Sequence, residues 1–173
     1  MNVIKRYRNI ALSNTDIENI LDGKVNIVVY PELTDYDTID ELLGPYGSCI
    51  MLYETKPSYG HWCCINKINH NTVEFFDPYS SYPDDNLDHI TTKFRKESNQ
   101  FFPYLTLLLY NSGYNIDYNE FQFQKHANDI KSCGRWCCLR VMLKYLPLQE
   151  FAQIFMRPDG DDFVTFLTMW VNK

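Results

Sequence analysis

The mainly apolar run Val25 to Tyr30 is of strand length and is stopped by Pro31, which predicts a buried strand. Upstream, Ser13-Asn14-Thr15-Asp16-Ile17-Glu18 places a capping side chain and acidic groups ahead of apolar positions, predicting a helix that ends near Gly23. Asp37 to Leu43 predicts a short acidic helix closed by Gly44-Pro45, and Cys49 to Tyr53 a second buried strand. Two more strands follow, His61 to Lys67 and Asn71 to Asp77, then a polar loop from Ser80 to Asp88. Helices are expected over about Leu87 to Lys96 and Gln100 to Tyr110, with Pro103 tolerated in the first turn of the latter. Polar and aromatic residues alternate from Tyr114 to Gln124, as in a half-buried strand. Beyond Cys133 the pattern predicts three helices, Gly134 to Tyr145, Leu148 to Met156 and Asp161 to Val171. This order predicts an α+β fold, with a small, largely antiparallel sheet packed against helices and residues 1–173 forming a single domain.

The paired strands carry a geometric expectation. A three-residue loop Ile68-Asn69-His70 would set Lys67 opposite Asn71, Ile65 opposite Val73, Cys63 opposite Phe75 and His61 opposite Asp77. One face then holds His61, Cys63 and Ile65 beside Val73, Phe75 and Asp77, apolar except where an imidazole meets a carboxylate. A register slipped by one residue would separate His61 from Asp77. A carboxylate beside a histidine fixes its tautomer and stabilises the imidazolium, as a general base requires; a surface His–Asp pair without chemistry has the same pattern.

Composition narrows the classes. At 45% hydrophobic and 22% charged residues the chain is neither disordered nor coiled coil. The net charge of −6, from 22 acidic and 16 basic residues, gives no electrostatic reason to expect nucleic acid as a partner. Phe101 to Tyr110, the longest membrane candidate, falls short of the ~20 apolar residues of a span and contains Pro103. Met1-Asn2-Val3-Ile4-Lys5-Arg6 runs directly into charge, so no secretory signal is expected and the six cysteines are expected to be reduced. Their spacing, adjacent pairs and Cys-x3-Cys-Cys, lacks a Cys-x2-Cys knuckle, and neither a metal site nor another cofactor is expected.

Cys133 is the candidate nucleophile. It opens the apolar helix after the polar stretch Ala127 to Ser132, where the helix dipole and unpaired N–H groups favour a thiolate and can hold an oxyanion. Gly134 removes a side chain where a substrate backbone would have to approach. Cys137 and Cys138, and equally Cys63 and Cys64, read as small core residues.

Together, Gly60-His61-Trp62, Phe76-Asp77-Pro78-Tyr79 and Cys133-Gly134-Arg135-Trp136-Cys137-Cys138 resemble the adenain (adenovirus endopeptidase) family and, more broadly, the cysteine-protease clan that includes the SUMO-specific proteases. The chain order His, acid, Gln, Cys is shared, and the resemblance spans about residues 13 to 145. It implies a fold with the nucleophile at the N-terminus of a central helix, and a mechanism with His61 as base, Asp77 as its orienter and Cys133 as the attacking thiol. It also implies a glutamine donor to the oxyanion. Gln124, nine positions before Cys133, is chosen over Gln122, although both stand farther from the cysteine than in the family; an insertion between Lys125 and Lys131 would account for the difference. Asp77 replaces adenain's glutamate. Trp62 is expected to line the channel that admits small, glycine-containing substrate residues, or else to be an ordinary core indole.

The adenain-like strings further resemble proteases of adenoviruses, virophages and polinton-type elements. They imply cleavage of viral structural protein precursors in the virion and in the viral factory of the host cytoplasm, with no membrane partner. An activating peptide is allowed for by analogy with adenain; dependence on DNA is not expected at this net charge. The competing readings are an isopeptidase acting on ubiquitin-like modifiers, an acyltransferase, for which no basic phosphate cradle is visible, and a virion-associated binding module with an inert thiol.

Overall fold

The computed structural model describes residues 2–169. Its strands form one five-stranded sheet in sequential order. β1 (Asn26–Val29) runs parallel to β2 (Ser48–Lys56), and β2 is antiparallel to β3 (Tyr59–Asn69). β3 is antiparallel to β4 (Thr72–Phe76), and β4 is parallel to β5 (Asn115–Tyr118). The antiparallel expectation therefore holds for the three central strands, which short turns connect. Both edge strands join in parallel because helical crossovers precede or follow them. The first crossover contains a 3-10 turn (Tyr30–Asp35) and α3 (Ile39–Leu43). The second contains a 3-10 turn (Asp85–His89), α4 (Thr92–Glu97) and α5 (Tyr104–Tyr110).

Helices cover both faces of the sheet, which is why β2 reads as an unbroken apolar run rather than an alternating one. On one face Ile50, Leu52, Trp62, Cys64 and Phe76 pack against α2 (Asn14–Ile20), α6 (Cys133–Met142), α7 (Leu148–Phe155) and α8 (Gly160–Met169). On the other, Cys49, Met51, Tyr53, Cys63, Ile65, Val73 and Phe75 pack against the crossover elements. α1 (Val3–Arg8) lies along α8. The buried Arg140–Glu74 pair bolts α6 to β4, with Nε and Nη2 meeting the two carboxylate oxygens at 2.7 and 2.8 Å. Among the described residues no helix is long and apolar enough to cross a membrane.

Local chemistry explains the boundaries. Ser13 and Asp16 form a reciprocal capping box at α2, as the sequence pattern predicts. The helix expected over Leu87 to Lys96 is divided, because Thr91 caps a new helix by accepting from the Phe94 N–H. The strand expected over Tyr114 to Gln124 pairs only as far as Tyr118, after which the Asn119 side chain takes over the backbone hydrogen bonding. The helix end expected at Val171 lies outside the described residues.

The hairpin departs from its expected register. Its turn is His70-Asn71, with a bulge at Ile68, and Cys64 faces Phe76, Ile65 faces Phe75 and Lys67 faces Val73. This is a shift of two residues from the expected pairing. Because side chains alternate with period two, the shift leaves His61, Cys63 and Asp77 on one face. It moves Asp77 toward Cys63, so the carboxylate reaches His61 diagonally rather than directly across.

Candidate active site

The site forms where β3 runs past the end of β4, whose last paired residue is Phe76. His61 lies in this overhang, held on its other side by pairing with Tyr53 in β2. Gly60 precedes it for a steric reason: a Cβ there would stand 1.8 Å from the Tyr53 carbonyl oxygen. Asp77 is the residue at which β4 ends, and its backbone is gripped by Asn119, which accepts from the Asp77 N–H at 2.9 Å and donates to its carbonyl at 2.6 Å.

Three donors hold the fully buried Asp77 carboxylate. Oδ1 meets His61 Nε2 at 2.8 Å and accepts from the Tyr79 backbone N–H at 2.7 Å, while Oδ2 accepts from Asn86 Nδ2 at 2.7 Å. The His61 ring also stacks on Tyr79, centroids 4.8 Å apart, and Tyr79 in turn stacks on His126 at 4.2 Å. Imidazole orientation is thus fixed by a hydrogen bond in the ring plane and an aromatic face above it.

Cys133 approaches from the opposite layer as the first residue of α6, and its side chain is among the groups that raise the His61 pKa. One turn further along, Cys137 Sγ donates to the Trp62 carbonyl at 3.4 Å, which seats the helix against β3. The first intrahelical bond near the start runs from the Trp136 N–H to the Ser132 carbonyl, so the N–H groups before it have no partner within the helix. Asp161 of α8 secures this end. Its Oδ1 accepts from Ser132 Oγ at 2.6 Å and Trp136 Nε1 at 2.9 Å, and its Oδ2 from the Lys125 N–H at 3.1 Å.

Gln124 is buried immediately before that last anchor. Its Nε2 donates to the Ile130 carbonyl at 3.3 Å and its Oε1 has no partner, whereas Gln122 is exposed and donates to the Gln124 carbonyl. Trp62 and Gly134 face each other. The Trp62 indole donates to the Leu12 carbonyl at 3.0 Å, and a Cβ on Gly134 would come within 3.1 Å of the Trp62 ring and 3.2 Å of Leu12. The close approach that selects glycine here is made by the chain's own side chains, with Trp62 buried on the face opposite His61.

No protein-family model matches the chain. A Sputnik virophage protein, uncharacterized protein V9, is 48% identical to it over 175 residues, covering 98% of this chain and 100% of that protein. This chain belongs to the V9 family. Among solved structures, the ASFV pS273R protease shares 13% identity with a TM-score of 0.50, over 93% of this chain and 68% of that one. ChlaDub1 from Chlamydia trachomatis shares 16% identity with a TM-score of 0.45, over 93% and 78% of the two chains. The likeness to the ASFV enzyme shows that this V9-family chain has the α+β fold of a protease, with a mixed sheet packed against helices.

The electrostatics of the V9-family site follow from its burial. Burial alone would lower the His61 pKa, but the sulfurs of Cys63 and Cys133 and the Asp77 carboxylate raise it well above the ordinary histidine value. Burial pushes the Cys63 thiol well above its usual range, so Cys63 is neutral near pH 7 and Asp77 carries the effect on His61. Burial also opposes ionisation of Asp77, yet His61, Asn86 and the Tyr79 N–H hold its pKa below the usual carboxylate range. Sequence patterns did not point to Asn86, His126, Asn119 or Asp161, because none belongs to a motif and each acts across a long loop or from another layer.

Proposed function

We propose that this chain is a cysteine endopeptidase that cleaves viral structural protein precursors at glycine-containing sites. One observation carries the reading: a single imidazole is held at Nε2 by a buried carboxylate, at the sheet end near which a cysteine opens α6. With Nε2 taken by Asp77, Nδ1 is the nitrogen that accepts the Cys133 proton. The sulfur attacks the scissile carbonyl carbon, and the oxyanion is received by the Cys133 backbone N–H and the free N–H of Gln124 Nε2. As the C–N bond breaks, His61 returns its proton to the leaving amine, and water then hydrolyses the thioester with His61 again as base.

The viral context is supported by the virophage relative and the protease reading by the fold shared with the ASFV pS273R protease; on this proposal the chain works in the virion and the viral factory. The test is to incubate the full chain with recombinant capsid and other virion-protein precursors of its own virus and map new N-termini. Cleavage after a glycine-containing segment is expected, abolished by Cys133→Ala. Intact precursors together with cleavage of a ubiquitin-like C-terminal reporter would replace this reading with an isopeptidase. Activity on neither would leave a binding module.

A further inference from the structure

We propose that His61, Cys63 and Asp77 form a site for a borderline-soft divalent cation, Zn2+ in the first instance, and that its occupation silences the base. The inhibitory consequence rests on the peptidase reading; the binding site itself does not. One ligand atom from each of the three residues lies within 4.8 Å of the other two. This constellation is invisible to cysteine spacing, because His61 and Cys63 are alternate residues on one strand face and Asp77 comes from across the hairpin.

The donor set selects the metal. Thiolate, imidazole and carboxylate together suit zinc, whereas Mg2+ and Ca2+ demand oxygen ligands. Zn–S, Zn–N and Zn–O bonds of about 2.3, 2.0 and 2.1 Å call for ligand atoms roughly 3.5 Å apart, so a span of 4.8 Å contracts by side-chain rotation. The site has supporting contacts already. Asn86 donates to Asp77 Oδ2 at 2.7 Å and lies 3.9 Å from Cys63 Sγ, and Tyr79 donates to Oδ1 at 2.7 Å. Such bonds orient metal-binding carboxylates. The mechanism makes no use of Cys63, which is fully buried behind the imidazole.

Binding displaces protons in a defined way. Cys63 loses its thiol proton to solvent, and the single proton of the neutral imidazole shifts from Nε2 to Nδ1 as the cation takes the Nε2 lone pair. On Nδ1 it blocks acceptance of a proton from Cys133. Affinity must therefore fall as pH falls, since protons compete at both Cys63 and His61.

The test reads binding rather than turnover. The full chain, freed of metal with a chelator, is titrated with Co2+ and then competed with Zn2+. A single site with a thiolate-to-cobalt charge-transfer band is expected, retained in Cys133→Ala and lost in Cys63→Ser. Removing a supporting contact costs a metal site about 10- to 100-fold in affinity, so loss of the Cys63 ligand is expected to cost about 100-fold or more. Should Cys63→Ser fail to fold, X-ray absorption on zinc-loaded Cys133→Ala decides, with one sulfur at about 2.3 Å expected. Binding that follows Cys133 and survives Cys63→Ser overturns the proposal, as does a zinc shell without sulfur or the absence of any cobalt band. Because no arm measures peptide cleavage, an inactive peptidase would count against the function proposed above and leave this site standing.

Discussion

Asn86 Nδ2 stands 2.7 Å from Asp77 Oδ2, on the carboxylate oxygen that His61 does not use. The bond occupies one lone pair of Oδ2 and aims Oδ1 at the imidazole. Asn86→Ala is therefore expected to lower kcat/KM by about 10- to 100-fold, the cost of misplacing a reacting group by a fraction of an ångström to an ångström. A pH–rate profile distinguishes positioning from unfolding. The acid limb moves if Asp77 is released, whereas partial unfolding lowers the whole profile without moving it.

Asp77→Asn separates the charge from the shape of the pair. His61 has a raised pKa in the folded state, so its contribution is complete below the unfolded value of about 6.5 and is lost as pH rises through the folded value. Asp77 has a lowered pKa, so its contribution is present above the unfolded value of about 3.8 and is lost as pH falls through the folded value. The stability difference between wild type and Asp77→Asn should therefore be greatest between about pH 4 and 6.5, on the order of 3 kcal/mol, and shrink on both sides. Urea unfolding from pH 3 to 9 measures it; a difference independent of pH would contradict the ion pair.

Much of the arrangement of this candidate site was legible in the sequence, and the rest has physical causes. Three motifs placed His61, Asp77 and Cys133, because strand alternation and a helix start are local properties. Alternation also explains why a register displaced by two residues still kept His61 with Asp77. Trp62 and Gly134 met each other and Leu12, a tertiary contact on which neither motif bears. The parallel edges of the sheet were not legible either, since pairing partners across a helical crossover are chosen by packing rather than by a turn. Asp161 illustrates the same limit: it closes the start of α6 from a helix that begins 27 residues after Cys133.

Gly60→Ala tests the steric origin of the first motif. A Cβ placed 1.8 Å from the Tyr53 carbonyl cannot be relieved by side-chain rotation, because the obstacle is backbone. The β2–β3 pairing must open beside His61, and a loss of stability of about 2–4 kcal/mol is expected together with loss of activity. Thermal unfolding and assay of the soluble fraction check both. A variant with wild-type stability and activity would contradict the contact.

Glu74→Gln removes one charge from a pair in which Arg140 and Glu74 side chains are 1% and 4% exposed. Arg140 keeps bonds to the Leu143 and Leu146 carbonyls at 3.1 and 2.9 Å, but its charge is left uncompensated. A cost of about 3–5 kcal/mol in denaturant unfolding is expected, with catalytic constants of the folded fraction little changed because the pair lies away from His61. A fall in kcat without loss of stability would contradict this division of labour.

The most direct test of the central claim needs no substrate. Cys133 is 6% exposed and the other five cysteines 0%, so the comparison with His61→Ala, rather than the ranking among cysteines, separates the site from exposure. Alkylation by iodoacetamide is followed from pH 4 to 10 by mass spectrometry, in wild type and His61→Ala. Cys133 is expected to react far faster than the other five near pH 6, and His61→Ala to abolish that advantage. Equal reactivity of Cys133 and Cys137, unchanged by His61→Ala, would contradict a catalytic Cys133.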